Sequence, residues 1–355
     1  MNNNDLSLIV MENCKEFGKK VDEHLMKLRK SKTSFILPVD AVRFSDGEGK
    51  VKLLASIRGK DVYILSDTHN YSIKYKMYGK EHMMSPDEHF QDIKRTILAM
   101  MGHAKRITVI MPFLYESRQH RRKSRESLDC ALALQELKAL GVDNIITFDA
   151  HDPNVQNAVP TLAFDNFFPT NDILSSFLKN EVIDKENTLV ISPDAGAMDR
   201  ARYLADIIKV DVGLFYKRRD LSKVVNGSNP IEAHEYLGKD LEGKTAIVVD
   251  DMIASGRSLI DVAEELKKRK AKKIYFFSTF ALFTSGPDIF IKSFKEKLFE
   301  KIYSTNLTYV PEEILEKEWF VAADCSKFLA EIVDYNNSGK SISELIVMNT
   351  PVPKS

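Results

Sequence analysis

Cysteine is scarce: Cys14, Cys130 and Cys325 are the only three in 355 residues. They are odd in number and far apart, which excludes a disulfide scaffold and a cysteine zinc site and fits a reducing compartment. An excess of either charge is lacking too. Lys plus Arg and Asp plus Glu stand at 51 each, so no overall field draws nucleic acid or an anionic membrane to the chain. No apolar run approaches membrane-spanning length, and Met1-Asn-Asn-Asn-Asp5 lacks the basic start and apolar core of a signal peptide. Low-complexity segments are absent as well. These absences lead us to expect a soluble cytoplasmic protein without nucleic-acid or membrane partners.

What the chain has is length and alternation. At 355 residues it can build two domains with substantial cores. A short strand and a helix are expected over residues 6–30, then a strand pair around a glycine turn from Val39 through Arg58. Buried strands follow at Asp61–Ser66, Arg106–Pro112 and Asn144–Phe148, with helices at Asp87–Met101 and Leu128–Leu140. The pattern restarts after about residue 165, with strands at Thr188–Ser192, Val212–Tyr216, Thr245 onward and Lys273–Ser278, a helix at Met198–Ile208, and an edge strand at Lys301–Ser304. Strands alternating with helices predict an α/β fold of two tandem, doubly wound, mostly parallel sheets, one domain over residues 1–165 and the other over 166–337. The polar stretch Leu221–Gly238 is expected to be a mobile loop.

One stretch organises the chemistry. Thr245-Ala-Ile-Val-Val-Asp-Asp-Met-Ile-Ala-Ser-Gly-Arg-Ser258 reads as a buried strand that delivers two acids and a small polar loop to the start of a helix. Such a loop offers backbone N–H groups, hydroxyls and a helix N-terminus to an anion. Ionised Asp250 and Asp251 can only accept hydrogen bonds, which suits sugar hydroxyls and repels phosphate. The pattern describes a site for a phosphorylated sugar. The plainer alternative, an ordinary loop with a solvated acid pair, leaves two carboxylates at a buried strand end without partners, which is costly.

Five further motifs fall at the ends of expected strands, where open α/β sheets bind ligands. Phe44-Ser-Asp-Gly-Glu48 offers an aromatic face and two carboxylates on a turn. Between Arg118 and Arg125 five Arg or Lys crowd into eight residues, which repel one another unless an anion joins them. His151, in Phe148-Asp-Ala-His-Asp152, could meet a metal or a phosphate. Ser192-Pro-Asp-Ala-Gly-Ala-Met-Asp-Arg200 is a second candidate ligand loop, and Lys217-Arg-Arg219 sets cations at the mouth of Leu221–Gly238, as phosphoryl transfer requires. Gly238-Lys-Asp-Leu-Glu-Gly-Lys-Thr245 formally matches a phosphate-binding P-loop but precedes a strand instead of following one, so it is read as a turn.

The loop at residues 245–258 resembles the ribose 5-phosphate loop of the phosphoribosyltransferase superfamily. In their order, Arg43-Phe-Ser-Asp-Gly-Glu48, Arg118-Gln119 with its basic tail, Asp149-Ala-His151, Ser192-Pro-Asp-Ala-Gly196, Lys217-Arg-Arg219 and Val249-Asp-Asp-Met-Ile253 are similar to the ribose-phosphate pyrophosphokinase family over nearly the whole chain. The resemblance implies transfer of the diphosphoryl group of ATP to the anomeric hydroxyl of ribose 5-phosphate with Mg²⁺, in a homo-oligomer whose ATP site is shared between subunits. It implies that Phe44, Asp46, Glu48, Arg118 and Gln119 bind ATP. Lys217 and Arg219 are then catalytic, His151 and Asp194 face the metal, and Asp194, Asp250, Asp251, Ser255, Gly256, Arg257 and Ser258 hold ribose 5-phosphate. The tail at about residues 338–350 is implied to pack back on the first domain.

The chain also departs from the family. Ala254 stands where the family usually has an acid, and Arg257 where it has glycine, which makes the sugar-phosphate loop more positive. His120 replaces an acid after Arg118-Gln119, and Ala197 a glycine after Pro193-Asp-Ala-Gly196. A phosphoribosyltransferase shares the organising loop but needs only one such domain, and a silent regulatory homologue has no need of Lys217 and Arg219.

Overall fold

The computed structural model describes residues 5–219, 231–343 and 345, without the side chains of 217–219 and 231–234. Its described residues form two compact units. One comprises those of Met1–Pro169, Asn306–Tyr309 and Asp324–Asn349, the other those of Thr170–Thr305 and Val310–Ala323.

The first unit runs β1 (Leu6–Val10), α1 (Lys15–Arg29), β2 (Val39–Arg43), β3 (Gly49–Leu53), β4 (Asp61–Leu65), β5 (Lys74–Met77), β6 (Lys80–Met83), α2 (Pro86–Ala99), β7 (Arg106–Ile110), α3 (Asp129–Ala139), β8 (Asn144–Phe148) and β9 (Ala163–Phe167). A parallel sheet in the order β1-β4-β7-β8-β9 forms its centre. Its strands are apolar on both faces because helices cover both, so Ile9, Ile64, Val109 and Ile145 are wholly buried. Two antiparallel hairpins, β2-β3 and β5-β6, stand outside this sheet. The second was not expected from the sequence: its polar strands, Lys74-Tyr-Lys-Met77 and Lys80-Glu-His-Met83, carry too little apolar periodicity to announce themselves. The first ends its return strand at Leu53, five residues before the expected Arg58.

The second unit contains α4 (Thr170–Leu178), β10 (Thr188–Ser192), α5 (Met198–Ile208), β11 (Asp211–Arg219), β12 (Ile231–Leu237), β13 (Thr245–Ile253), α6 (Arg257–Lys268), β14 (Lys273–Ala281), α7 (Asp288–Lys295), β15 (Lys301–Thr305), α8 (Glu312–Leu315) and β16 (Phe320–Ala323). Its sheet has the order β12-β11-β10-β13-β14-β15-β16, parallel except for β12. Two expectations are corrected here. Lys301–Thr305 is not an edge strand, because β16 pairs outside it from Ile302↔Phe320 to Thr305↔Ala323. The last part of the stretch expected to be a loop, Ile231–Leu237, is β12; pairing with β11 supplies its backbone partners, and Tyr236 packs on Phe215 at 5.3 Å between ring centres. Residues 220–230 lie outside the described residues.

The last helix, α9 (Ser326–Ser338), returns to the first unit. Arg29 Nε meets Asp334 Oδ1 at 2.7 Å, with the arginine side chain 1% exposed, and Arg29 Nη2 donates to Asn337. Beyond α9, Leu345 is buried, while residue 344 and residues 346–355 lie outside the described residues.

Candidate active site

In the second unit the site starts from a reversal of strand order. β10 and β13 are parallel neighbours, in register from Thr188↔Thr245 to Ile191↔Val248. β11 lies on the far side of β10 and β14 on the far side of β13. The loops leaving the carboxyl ends of β10 and β13 therefore part to opposite sides and open a crevice, the usual ligand position in such sheets.

At the end of β10, Ser192 Oγ donates to the Asp194 carbonyl at 2.6 Å. The Asp194 carboxylate accepts from the N–H groups of Gly196 at 2.9 Å and Ala197 at 3.3 Å, both through Oδ1, and so fixes the turn that opens α5. At the end of β13 stand the two acids. The Asp251 N–H donates to Asp250 Oδ1 at 2.9 Å. Burial pushes the Asp250 carboxyl well above its ordinary value, and the nearby charges of Asp251 and then Asp194 push it further. Asp251 is 4% exposed. Arg200 Nη2, on α5, lies 3.9 Å from Asp251 Oδ2, so one cation from the β10 side reaches the acid pair. Sequence reasoning assigned Arg200 no role although it closes the motif that begins at Ser192.

After β13 the chain turns through Ala254, Ser255 and Gly256 into α6. Gly256 has φ +80°, and a Cβ there would fall 2.2 Å from Phe290 Cζ, so only glycine fits. No side chain caps α6 at Gly256, and Ser255 and Ser258 are exposed. The helix start is thus open to an anion. Arg257 does not join the acid pair: it is 70% exposed, and its Nε meets Asp261 Oδ1 at 2.9 Å on the same helix. Lys217 and Arg219 lie on the last three residues of β11, beside β10, and their side chains fall outside the described residues.

The first unit carries the other candidates. Phe44, Asp46 and Glu48 form the tip of the β2-β3 hairpin. The Phe44 N–H donates to the Glu48 carbonyl at 2.8 Å, and Asp46 Oδ1 accepts from the Glu48 N–H at 3.1 Å. Phe44 is 48% exposed, a large cost in water that a ligand could remove. Behind the tip, Arg43 Nη2 binds Asp92 Oδ2 at 2.6 Å and the Glu88 carbonyl at 3.2 Å, which fastens the hairpin to α2. Arg118 and Gln119 sit on a single 3-10 turn after β7, both exposed. Beside them His69 is pushed down to about 3, first by burial and then by His89 and Arg118. His151 is exposed after the turn at Asp149, its ring centre 5.4 Å from that of His120, whose Nε2 is 3.3 Å from Asp152.

Sequence reasoning missed the groups that brace the hairpin. Glu88 accepts from Tyr75 Oη at 2.6 Å and from the Ser85 N–H at 2.8 Å, and its Oε2 lies 2.9 Å from His82 Nε2. Burial opposes ionisation, but the bonds from Tyr75, Ser85 and His82 outweigh it and hold Glu88 down at about 2. The available signal was Ser85-Pro-Asp-Glu88, a capping box at the start of α2.

Among the described residues no group of three or more His, Cys, Asp or Glu is placed to hold a metal ion, and no helix is long and apolar enough to cross a membrane.

Three family models match the chain: the N-terminal domain of ribose phosphate pyrophosphokinase over residues 6–141, a phosphoribosyl transferase domain over 166–283, and a phosphoribosyl synthetase-associated domain over 235–347. The ribose-phosphate pyrophosphokinase 1 of Streptococcus pneumoniae is 30% identical over 322 residues, 89% of each chain. The ribose-phosphate pyrophosphokinase of Pasteurella multocida is 28% identical over 347 residues, 96% of this chain and 99% of the other. The crystal structure of phosphoribosylpyrophosphate synthetase from Mycobacterium smegmatis shares the fold, with a TM-score of 0.77 at 22% identity, covering 94% of this chain and 99% of that one.

Proposed function

The chain belongs to the ribose-phosphate pyrophosphokinase family, and from that premise we propose that it transfers the β,γ-diphosphoryl group of ATP to the anomeric hydroxyl of ribose 5-phosphate, releasing AMP. The observation that carries this reading is the crevice between β10 and β13, where an acid pair and an uncapped helix start lie at the same strand end. The sugar hydroxyls donate to Asp250 and Asp251, and the 5-phosphate takes the N–H groups at the start of α6 with the hydroxyls of Ser255 and Ser258. Arg200 moderates the acid pair's repulsion of the phosphates, and Arg257 reaches the 5-phosphate only by leaving Asp261.

Phe44 stacks the base of ATP, while Asp46, Glu48, Arg118 and Gln119 fix its polar edges; the hairpin tip serves a neighbouring subunit of a homo-oligomer. Lys217 and Arg219, at the end of β11, meet the charge that builds on the transferring group.

Magnesium is the metal the family implies, and the residues fit one delivered with ATP. Mg²⁺ keeps several waters and takes one or two protein carboxylates beside phosphate oxygens, and the Asp194 carboxylate, half-buried after β10, is of that donor type. In the second unit Asp194, and in the first His151, would be the residue to meet such an ion, which would neutralise phosphate charge. The oxygens of Asp250 and Asp251 stay with the sugar.

The test is AMP release from ATP measured with and without ribose 5-phosphate. Release that depends on the sugar phosphate is expected; ATP breakdown without it, or none with it, would refute the assignment.

A further inference from the structure

The β5-β6 hairpin is the part of the first unit that the reading above leaves without a task. Its strands pair from Lys74↔Met83 to Met77↔Lys80, which leaves Tyr78 and Gly79 as the two turn residues. Both have positive φ, +48° for Tyr78 and +77° for Gly79, the pattern of a two-residue turn that favours asparagine or glycine at its first position. A tyrosine there is strained, because a bulky β-carbon crowds the backbone in the left-handed region. It also gains nothing from burial, being 78% exposed. Neither turn chemistry nor packing accounts for Tyr78.

Its neighbours suggest what does. The Tyr78 N–H donates to the carbonyl of Ser45 at 2.8 Å, so this turn is tied to the tip of the β2-β3 hairpin, one residue from Phe44. The contact continues behind the tip, where Met77 Sδ lies 2.9 Å from where a Cβ on Gly47 would be. Tyr75 and His82 then bind Glu88, whose carbonyl also accepts from Arg43. The two hairpins form one braced unit that brings two exposed aromatic residues, Phe44 and Tyr78, to adjacent turns.

We propose that Tyr78 is a second base-contacting residue of the nucleotide site, its aromatic face added to that of Phe44 by the β5-β6 hairpin. The ligand class is the purine base of a nucleoside triphosphate, and the inference rests on the reading of Phe44-Ser-Asp-Gly-Glu48 as the nucleotide-binding tip. An exposed aromatic residue held in a strained turn is a cost that base stacking offsets, since an aromatic face against a base is worth more than its exposure in water.

Tyr78→Asn separates this role from a structural one, because asparagine suits the turn better than tyrosine. The full-length protein should melt at the same temperature or higher. By calorimetric titration its Kd for ATP should rise at least about fivefold, the lower end of what losing one base–aromatic contact produces. Binding of inorganic triphosphate and of ribose 5-phosphate should not change, and Tyr78→Phe should bind ATP as the wild type does. If Tyr78→Asn leaves ATP affinity intact while Phe44→Ala weakens it, the inference is wrong and the reading of the tip stands. Equal losses for ATP and triphosphate would also overturn it, by placing Tyr78 at the phosphates. If Phe44→Ala itself leaves ATP affinity intact, the nucleotide reading of the tip fails and takes the inference with it.

Discussion

The N–H of Asp251 donates to the carboxylate of its own neighbour, Asp250, at 2.9 Å, near the end of a strand whose residues 246–249 are buried. Arg200 Nη2 lies 3.9 Å from Asp251 Oδ2, yet a third carboxylate, Asp194, is close by, and burial, with the charges of Asp251 and Asp194, holds Asp250 well above its ordinary value. The charge on Asp250 is therefore a cost to the folded chain.

That cost predicts a stabilising substitution. A carboxyl whose folded pKa is raised favours folding below its unfolded value of 3.8 and loses that advantage as the pH rises through the folded value. Asp250→Asn keeps the acceptor for the Asp251 N–H and removes the charge. In thermal melts at pH 8 it should raise Tm by a few degrees, and the gain should shrink towards pH 4. A lowered Tm at pH 8 would show that the charge is already compensated.

Asp251→Asn addresses the sugar. A charge-assisted bond to a ribose hydroxyl is worth about 1.5 to 3 kcal/mol, so KM for ribose 5-phosphate should rise about tenfold or more while ATP binding stays nearly constant. Steady-state AMP formation at varied sugar phosphate measures this, and an unchanged KM removes Asp251 from the sugar site.

Lys217 separates binding from chemistry. A cation that meets charge mainly in the transition state lowers kcat and leaves KM little altered. Lys217→Ala should cut kcat by about two to three decades, as loss of one oriented charge-stabilising group does in a closed site, while calorimetry finds both substrates still bound. Loss of ATP affinity with kcat preserved would make Lys217 a ground-state clamp.

Glu88 tests the brace under the β2-β3 hairpin. Glu88→Ala deletes the acceptor of Tyr75, His82 and the Ser85 N–H and should cost about 1 to 2 kcal/mol of stability at pH 7. Because the folded pKa is lowered to about 2 from 4.5, the ionic part of this contribution is present above pH 4.5 and lost as pH falls through about 2. Urea titrations of both proteins across that range should converge at the acid end. A difference independent of pH would assign the effect to packing alone.

The sequence by itself determined the alternation of strands and helices, the two mostly parallel sheets and the loop at residues 245–258. Each rests on local information: β-branched runs bounded by turns, a glycine where φ must be positive, two acids at a strand end. The family followed from the order of such motifs. What the sequence did not announce is the β5-β6 hairpin, whose strands are polar because neither face packs into a core, and β12, whose backbone partners are on β11 and not within its own segment. Nor did it place Arg200 near Asp251 or commit Arg257 to Asp261, because side-chain pairing depends on where neighbouring elements land. Tertiary structure alone decided that Tyr78 lies beside Ser45, more than thirty residues away along the chain, since that contact is made by two turns whose strands belong to different hairpins.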